Sequence, residues 1–451
     1  MLSAVDRLHR GQGRVVYSQP VPRSDYAEVP KIVRWSFIGF FGVLPFEAVS
    51  LSFTSFSLAK LSGLPLIVAY FFFYNPVSGK RPFPPGSAPL ACFLIYLLVF
   101  AANGIFLDGF HLSQFFSVLL TLTQLLLIFW ISSSLLRVEL LSRRALLAFA
   151  FASVVLALGT LLQVPGFSTS LESRIGERIT ALDFNPNYLA YTLGLAAVIL
   201  IGTALEIQVR YSWSKVLLIA LVLPLLALTV RTGSRTGVAA FLIGFAMCLL
   251  PNRQSGRRLI IIVLCVFVGV SLLGLASQHQ TVLARFEQST SGDFAGRQVI
   301  IPTSLRMIAE RPLFGWQPVA YWEELGRRVG KIWGAKDAHN LLFHLLMEVG
   351  LLGAVPFLIG IALCALGAWK ARSGKFGNLP FALLMMTLSA NLTHTYLGRK
   401  PQWLILALAV AAAAAIPTTK SARLPVRQPL RASGRALGER VLVGQVRRRE
   451  F

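Results

Sequence analysis

Residues 277–340 read SQHQTVLARFEQSTSGDFAGRQVIIPTSLRMIAERPLFGWQPVAYWEELGRRVGKIWGAKDAHN, a long polar stretch between two apolar runs. Basic, acidic and aromatic side chains are dense in it, and its exposed backbone could not be satisfied inside hydrocarbon. Working outward, apolar runs stand at about 32–50, 57–74, 88–106, 112–132, 144–164, 184–205, 214–230, 236–251, 258–277, 340–367, 378–396 and 401–417. Blocks of about 17–25 apolar residues suit helices crossing roughly 30 Å of hydrocarbon. The chain is 55% hydrophobic and 14% charged, against about 25% charged for a soluble domain. The ten-residue alternation of a transmembrane barrel is absent. The predicted fold is therefore an all-α polytopic integral membrane protein of about twelve transmembrane helices. It has one large extracytoplasmic loop containing surface helices.

Charge sets the predicted orientation. The 43 Lys and Arg against 19 Asp and Glu give a net charge of +24, which in a soluble protein would suggest nucleic acid. Here the charge sits in loops and tails, so no nucleic-acid partner is inferred and the lipid bilayer is the expected one. Lys80, Arg81, Arg137, Arg143, Arg144, Arg210, Lys215, Arg253, Arg257, Arg258, Lys370, Arg372 and Lys375 fall on one set of connections, together with both tails. The positive-inside rule makes that set cytoplasmic. The expected organisation is a cytoplasmic basic arm at 1–31, transmembrane helices 1–9 at 32–277, and a large periplasmic loop at 278–339. Helices 10–12 follow at 340–417, then a cytoplasmic basic tail at 418–451. The polar, basic first 31 residues lead us to expect that the first apolar run is its own insertion signal. Cys92, Cys248, Cys265 and Cys364 all lie in apolar runs and read as small buried hydrophobes.

Orientation makes Arg231, Arg235, Arg297, Arg399 and Lys400 exceptions, because they fall on the outer face. In Arg231-Thr-Gly-Ser234-Arg235-Thr-Gly237, the two arginines are four apart and share a face if the turn is helical. Arg235 falls in the first turn of the next helix, whose N-terminus favours an anion such as phosphate or diphosphate. Interfacial arginines reaching lipid head groups have the same spacing, so both roles stay open. Arg297 opens a segment running to Glu310 that reads as a surface helix, then Arg311-Pro-Leu-Phe-Gly-Trp316. It fits a cation turned over the bundle or an exposed loop residue. His339-Asn340 lies at the start of the tenth run, with His344 and Glu348 beyond, and His339 suits a general base or a polar helix cap. No metal-ligand spacing is found, so neither metal nor cofactor is expected. Asp183-Phe-Asn185-Pro-Asn187 suits helix capping or a sugar or phosphate contact. Glu47, His394 and Tyr396 fall at the same face.

Three pieces resemble the O-antigen ligase and polymerase family of bacterial membrane glycosyltransferases: Thr232–Gly237; Arg297 with Ala309–Gly315; and Ala338-His339-Asn340 with Glu348–Gly353. The likeness covers about residues 180–360, and Asn185-Pro-Asn187 resembles a further family feature. It implies a twelve-helix enzyme of the bacterial inner membrane. Such an enzyme moves a glycan from undecaprenyl diphosphate to an acceptor hydroxyl at the periplasmic face, inverting and without a metal. The acceptor would be another glycan, a lipid A core or a protein. Carried over by motif, Arg235 and Arg297 bind the leaving diphosphate and His339 orients or deprotonates the acceptor. Arg231, Asn187, Asn340 and Ser234 contact substrate. The alternative within the family is protein O-oligosaccharyl transfer. The alternative from another class is a flippase for lipid-linked glycans, which would place ionisable groups along a mid-membrane path.

Overall fold

The computed structural model describes residues 24–49, 57–74, 87–105, 109–173, 176–182, 184–206, 212–250, 266–271, 274, 297–330 and 337–415. Among them the helices are α1 (Ser24–Glu28), α2 (Lys31–Val43), α3 (Leu58–Phe73), α4 (Ser87–Gly104), α5 (Gly109–Leu135), α6 (Glu139–Leu161), α7 (Pro186–Glu206), α8 (Ser212–Ala220), α9 (Val222–Arg231) and α10 (Arg235–Cys248). After α10 come α11 (Arg297–Glu310), α12 (Ala320–Arg328), α13 (Leu341–Ala371), α14 (Leu379–Asn391) and α15 (Lys400–Ala414). A 3-10 turn, Leu44–Phe46, ends α2. Most of the ninth apolar run, the loop before Arg297, residues 331–336, residues 1–23 and residues 416–451 lie outside the described residues.

Five described helical stretches are long and apolar enough to cross a membrane: His111–Leu135, Glu139–Leu161, Pro186–Leu205, Trp213–Arg231 and Leu341–Ala371. Leu58–Phe73, Ala88–Gly104, Arg235–Cys248, Leu379–Asn391 and Lys400–Ala414 are apolar but shorter. Each overlaps an expected run, some extending past it by up to five residues. The structure departs from a purely helical reading in one place. Residues 168–181 form an antiparallel hairpin, β1 (Ser168–Ser173) with β2 (Gly176–Ala181), pairing Ser168 with Ala181 and Ser173 with Gly176.

Helices α7 and α15 run through the middle, buried from Tyr188 to Leu205 and from Pro401 to Ala412. Phe72, Leu98, Leu120 and Val155, on α3 to α6, are exposed, as lipid-facing positions would be. In a lipid setting, packing rather than exclusion from water holds helices together. Rings supply much of that packing: Phe93 lies 5.4 Å from Phe129, 5.1 Å from Phe357 and 5.3 Å from Trp403, joining α4, α5, α13 and α15. The connection between α13 and α14, at Lys375–Asn378, touches the start of α6 and the chain just after α10. Arg143 Nη2 donates to the Lys375 carbonyl (3.2 Å), and Asn378 Nδ2 donates to the Leu250 carbonyl (2.8 Å).

The tenth run is a single apolar block in sequence but a broken helix in space. Gly350 of α13 has φ 59° and ψ −164°, a region open in practice to glycine alone. The segment Arg311–Trp316 fills the break. Leu351 N–H donates to the Pro312 carbonyl (2.8 Å), Leu352 N–H to the Leu313 carbonyl (3.2 Å), and Trp316 N–H to the Met347 carbonyl (2.6 Å). The backbone groups freed at the kink are thus satisfied by another part of the chain. Asn103 Nδ2 of α4 donates to the Phe314 carbonyl (2.8 Å) and secures the inserted segment. A Cβ on Gly350 would stand 2.2 Å from the Leu313 oxygen, and one on Gly315 would stand 2.6 Å from the Met347 oxygen. These contacts explain why both glycines sit in the pieces that carried the resemblance.

Gly350→Ala meets backbone atoms and also adopts a disfavoured φ/ψ, which alone costs roughly 1–3 kcal/mol. The expected outcome is a lower melting temperature and poor recovery of monodisperse protein in detergent. Gly39→Ala, on an open face of α2 with nothing within 4 Å of the added carbon, is the matched control and leaves both unchanged.

Candidate functional site

Six chain segments meet at the end of the bundle away from the basic connections, and each brings a polar residue by a local rule. Ser234 is the N-cap of α10, accepting from the Gly237 N–H (3.1 Å), so Arg235 is the first residue of that helix. Asn340 is the N-cap of α13, its Oδ1 accepting from the N–H groups of Leu342 (2.8 Å) and Phe343 (3.2 Å). Asn185 Oδ1 accepts from the Asn187 N–H (2.9 Å), and Pro186 opens α7, as its sequence suggested. Arg297 opens α11. Glu47 follows the 3-10 turn. The sixth segment is the turn between α14 and α15.

That turn, Leu392–Arg399, is the common platform. Asn340 Nδ2 donates to the Leu392 carbonyl (3.0 Å), and Arg297 Nη2 donates to the neighbouring Thr393 carbonyl (3.1 Å). The His339 ring lies edge to face with His394, centroids 5.3 Å apart. Tyr396 stacks on Tyr191 at 4.5 Å and its hydroxyl donates to the Asn187 carbonyl (3.3 Å). Ser234 Oγ donates to Asn187 Oδ1 (2.7 Å) and ties α10 to α7. Asn391 holds the turn from below: its Oδ1 accepts from the Tyr396 N–H (3.0 Å) and its Nδ2 donates to Gln402 Oε1 (2.9 Å).

Electrostatics gives the platform a sign. Burial and then the charge of Arg235 both push the Arg297 guanidinium below its ordinary pKa, so two cations from α10 and α11 face one region. An anion between them would relieve both. Two guanidiniums and a helix N-terminus suit a phosphate or diphosphate. Glu47, by contrast, is buried and answers for the other two outer cations. Its Oε1 accepts from Arg399 Nη1 (3.1 Å) and from the Tyr188 hydroxyl (2.9 Å), and Lys400 Nζ is 3.6 Å from Oε2. Arg399 also lies over the Tyr188 ring at 4.5 Å.

All seven residues singled out in the sequence are at this end. Arg297, His339, Asn340, Ser234 and Asn187 join through the contacts above, and Arg235 follows Ser234 at the start of α10 with its charge acting on Arg297. Arg231 departs from expectation. It ends α9, and the turn through Gly233 (φ 64°) breaks the helix before Arg235, so the two arginines do not share an i,i+4 face. Its Nε is buried with no hydrogen-bond partner among the described residues.

Sequence reasoning missed a second polar cluster beside His339. His344 Nε2 is 3.4 Å from Glu348 Oε2, which accepts from the Tyr96 hydroxyl (3.0 Å), and the Tyr321 hydroxyl bonds His344 Nδ1. A flippase would place ionisable groups along a mid-membrane path, and Glu348 is one acid buried inside α13. The periodic signal was available in His344 and Glu348, an i,i+4 pair. Their partners on α4 and α12 were not legible from spacing.

The fold and site define a membrane protein that gathers cationic and amide side chains at one end of its described helices. Residues 219–358 match a family model described as O-antigen ligase. That match supports the O-antigen ligase/polymerase family for this chain. It includes Arg231, Ser234, Arg235, Arg297, His339, Asn340 and Gly350, while Glu47, Asn187 and the Leu392–Arg399 turn lie outside it. No curated protein matches the chain.

Glu47→Ala strips Lys400 and Arg399 of their buried counter-charge, whereas Glu139→Ala removes a half-exposed i,i+4 pair with Arg143 worth about 0.3–0.5 kcal/mol. Thermal unfolding in detergent is expected to show the larger loss for Glu47→Ala. Equal losses would contradict the structural role given to Glu47.

Proposed function

We propose that this protein moves a glycan from undecaprenyl diphosphate to an acceptor hydroxyl at the periplasmic face of the bacterial inner membrane. The observation that carries the reading is that Arg297 and His339 both meet the Leu392–Arg399 turn while the charge of Arg235 acts on Arg297. The orientation follows from charge: the basic connections and both tails are cytoplasmic, leaving the Arg235–Arg297–His339 end outside.

In this reading the donor's diphosphate lies between Arg235 and Arg297, with the α10 N-terminus adding N–H donors. As the bond from the anomeric carbon to the phosphate oxygen breaks, charge grows on that oxygen, and fixed guanidiniums stabilise it more than they stabilise the ground state. His339 accepts the proton of the acceptor hydroxyl as that oxygen attacks from the opposite face, inverting the anomeric centre. Asn187, Ser234, Asn340 and Arg231 offer amide, hydroxyl and guanidinium contacts to the donor or acceptor. The chemistry needs no metal, since the leaving group is neutralised by side chains.

The acceptor is a lipid A core sugar or the growing chain's next repeat unit, which makes the protein a ligase or a surface-polysaccharide polymerase. A protein acceptor uses the same chemistry and would be distinguished by the product.

Arg235→Ala and Arg297→Ala are each expected to lower transfer roughly 10²–10³-fold, and His339→Ala roughly 10²–10⁴-fold. Lysine at either arginine position should recover only part, because a point charge replaces a bidentate donor. The check is surface glycan on gels from a strain lacking the native copy, at matched expression. Full glycan from all three alanine variants would refute the assignment. Activity of purified protein lost in EDTA and restored by divalent ion would overturn metal independence.

A further inference from the structure

His339 is held in an unusual conformation, with φ 51°, immediately before the Asn340 cap. Asp337 supports it. The Asp337 carboxylate accepts from the His339 backbone N–H, and its Oδ2 lies 3.5 Å from His339 Nδ1. Its other oxygen faces the second cluster, 3.9 Å from His344 Nδ1. Asp337 therefore bridges the proposed base and a buried chain of His344, Glu348, Tyr96 and Tyr321. Burial by itself would raise the Asp337 pKa, but His344 and His339 outweigh it and hold the carboxyl below its usual value.

We propose that Asp337 is a positioning residue for His339: its carboxylate fixes the Nδ1–H tautomer and leaves Nε2 turned toward the acceptor hydroxyl. The proposal rests on the glycan-transfer reading above. The step balances without a further reactant. The acceptor O–H proton moves to Nε2, the acceptor oxygen bonds the anomeric carbon, and the polyprenyl diphosphate leaves with the electron pair of the broken bond. The imidazolium, stabilised by Asp337, then gives its proton to the departing diphosphate or to water. His344, tied to Glu348 on α13 and to Tyr321 on α12, keeps the carboxylate aimed and ionised.

The groups around His339 set the sign of the pH effect. Asp337 favours the imidazolium and raises its pKa. Arg297, on the neighbouring carbonyl, and Arg235 oppose it. His394 from the α14–α15 turn lies edge to face with the His339 ring, and His344, with Glu348, Tyr321 and Tyr96 behind it, faces the other Asp337 oxygen. All except Asp337 are the same in Asp337→Asn, so that variant isolates the carboxylate.

The test is nuclear magnetic resonance of protein carrying labelled histidine in detergent, with the His339 signal assigned by its loss in His339→Gln. The wild type should show the Nδ1–H tautomer, and Asp337→Asn should lower the His339 midpoint by roughly one unit. Asp337→Glu should restore much of the shift, and a melting temperature measured alongside separates misfolding from retuning. An unchanged midpoint and tautomer in folded Asp337→Asn would overturn the proposal. In cells, Asp337→Asn should deplete surface glycan and Asp337→Glu should restore part of it. If His339→Gln leaves surface glycan intact, the transfer reading fails while the titration result stands. If His339→Gln abolishes it and Asp337→Asn changes neither glycan nor titration, the Asp337 proposal alone fails.

Discussion

A helix that is interrupted inside a membrane protein must find new partners for the backbone groups it frees, and here the partner is another stretch of the same chain. Arg311–Trp316 enters the break at Gly350 and takes up N–H groups of Leu351 and Leu352 and the carbonyl of Met347. Because these are backbone bonds, the register between segment and helix is fixed to the residue. Upstream of the insertion, α11 runs back to Arg297. Upstream of the break, the first turns of α13 carry Glu348, His344, Asn340 and His339. One constraint thus sets the position of two of the three residues proposed to react.

The third, Arg235, is set by a different device, the capped turn between α9 and α10. What joins the devices is the Leu392–Arg399 turn, whose carbonyls at Leu392 and Thr393 receive Asn340 and Arg297 in succession. Glu47 pairs with Arg399 and Lys400, while the charge of Arg235 acts on Arg297. In the proposed reaction these two fixed cations stabilise the anionic leaving group, which is the logic of preorganised charge stabilisation.

Much of this was legible in the sequence because it rests on short-range rules. Apolar block length marked α3 to α7 and placed Arg235 and His339 at helix starts, while the capping roles of Ser234 and Asn340 came only from the structure. The positive-inside rule singled out the outer arginines by making them exceptions. Contacts between distant segments were not legible. Nothing in the apolar run from 340 to 367 announces that it is broken at Gly350, since the partner lies in a separate polar segment. Residues 392–396 looked peripheral because their contribution is largely backbone carbonyls, which carry no residue signature. The hairpin at 168–181 was missed for a related reason: two short polar strands satisfy each other and leave no apolar face to read.

The central claim is that Arg235, Arg297 and His339 surround one lipid-linked diphosphate. The most direct measurement is a structure of the full protein in a lipid nanodisc with undecaprenyl diphosphate bound. The account predicts the diphosphate between the Arg235 and Arg297 guanidiniums, at the N-terminus of α10, with His339 on the side where the sugar would sit. A diphosphate resting among the basic connections at the other end of the bundle, or one that touches neither arginine, would contradict it.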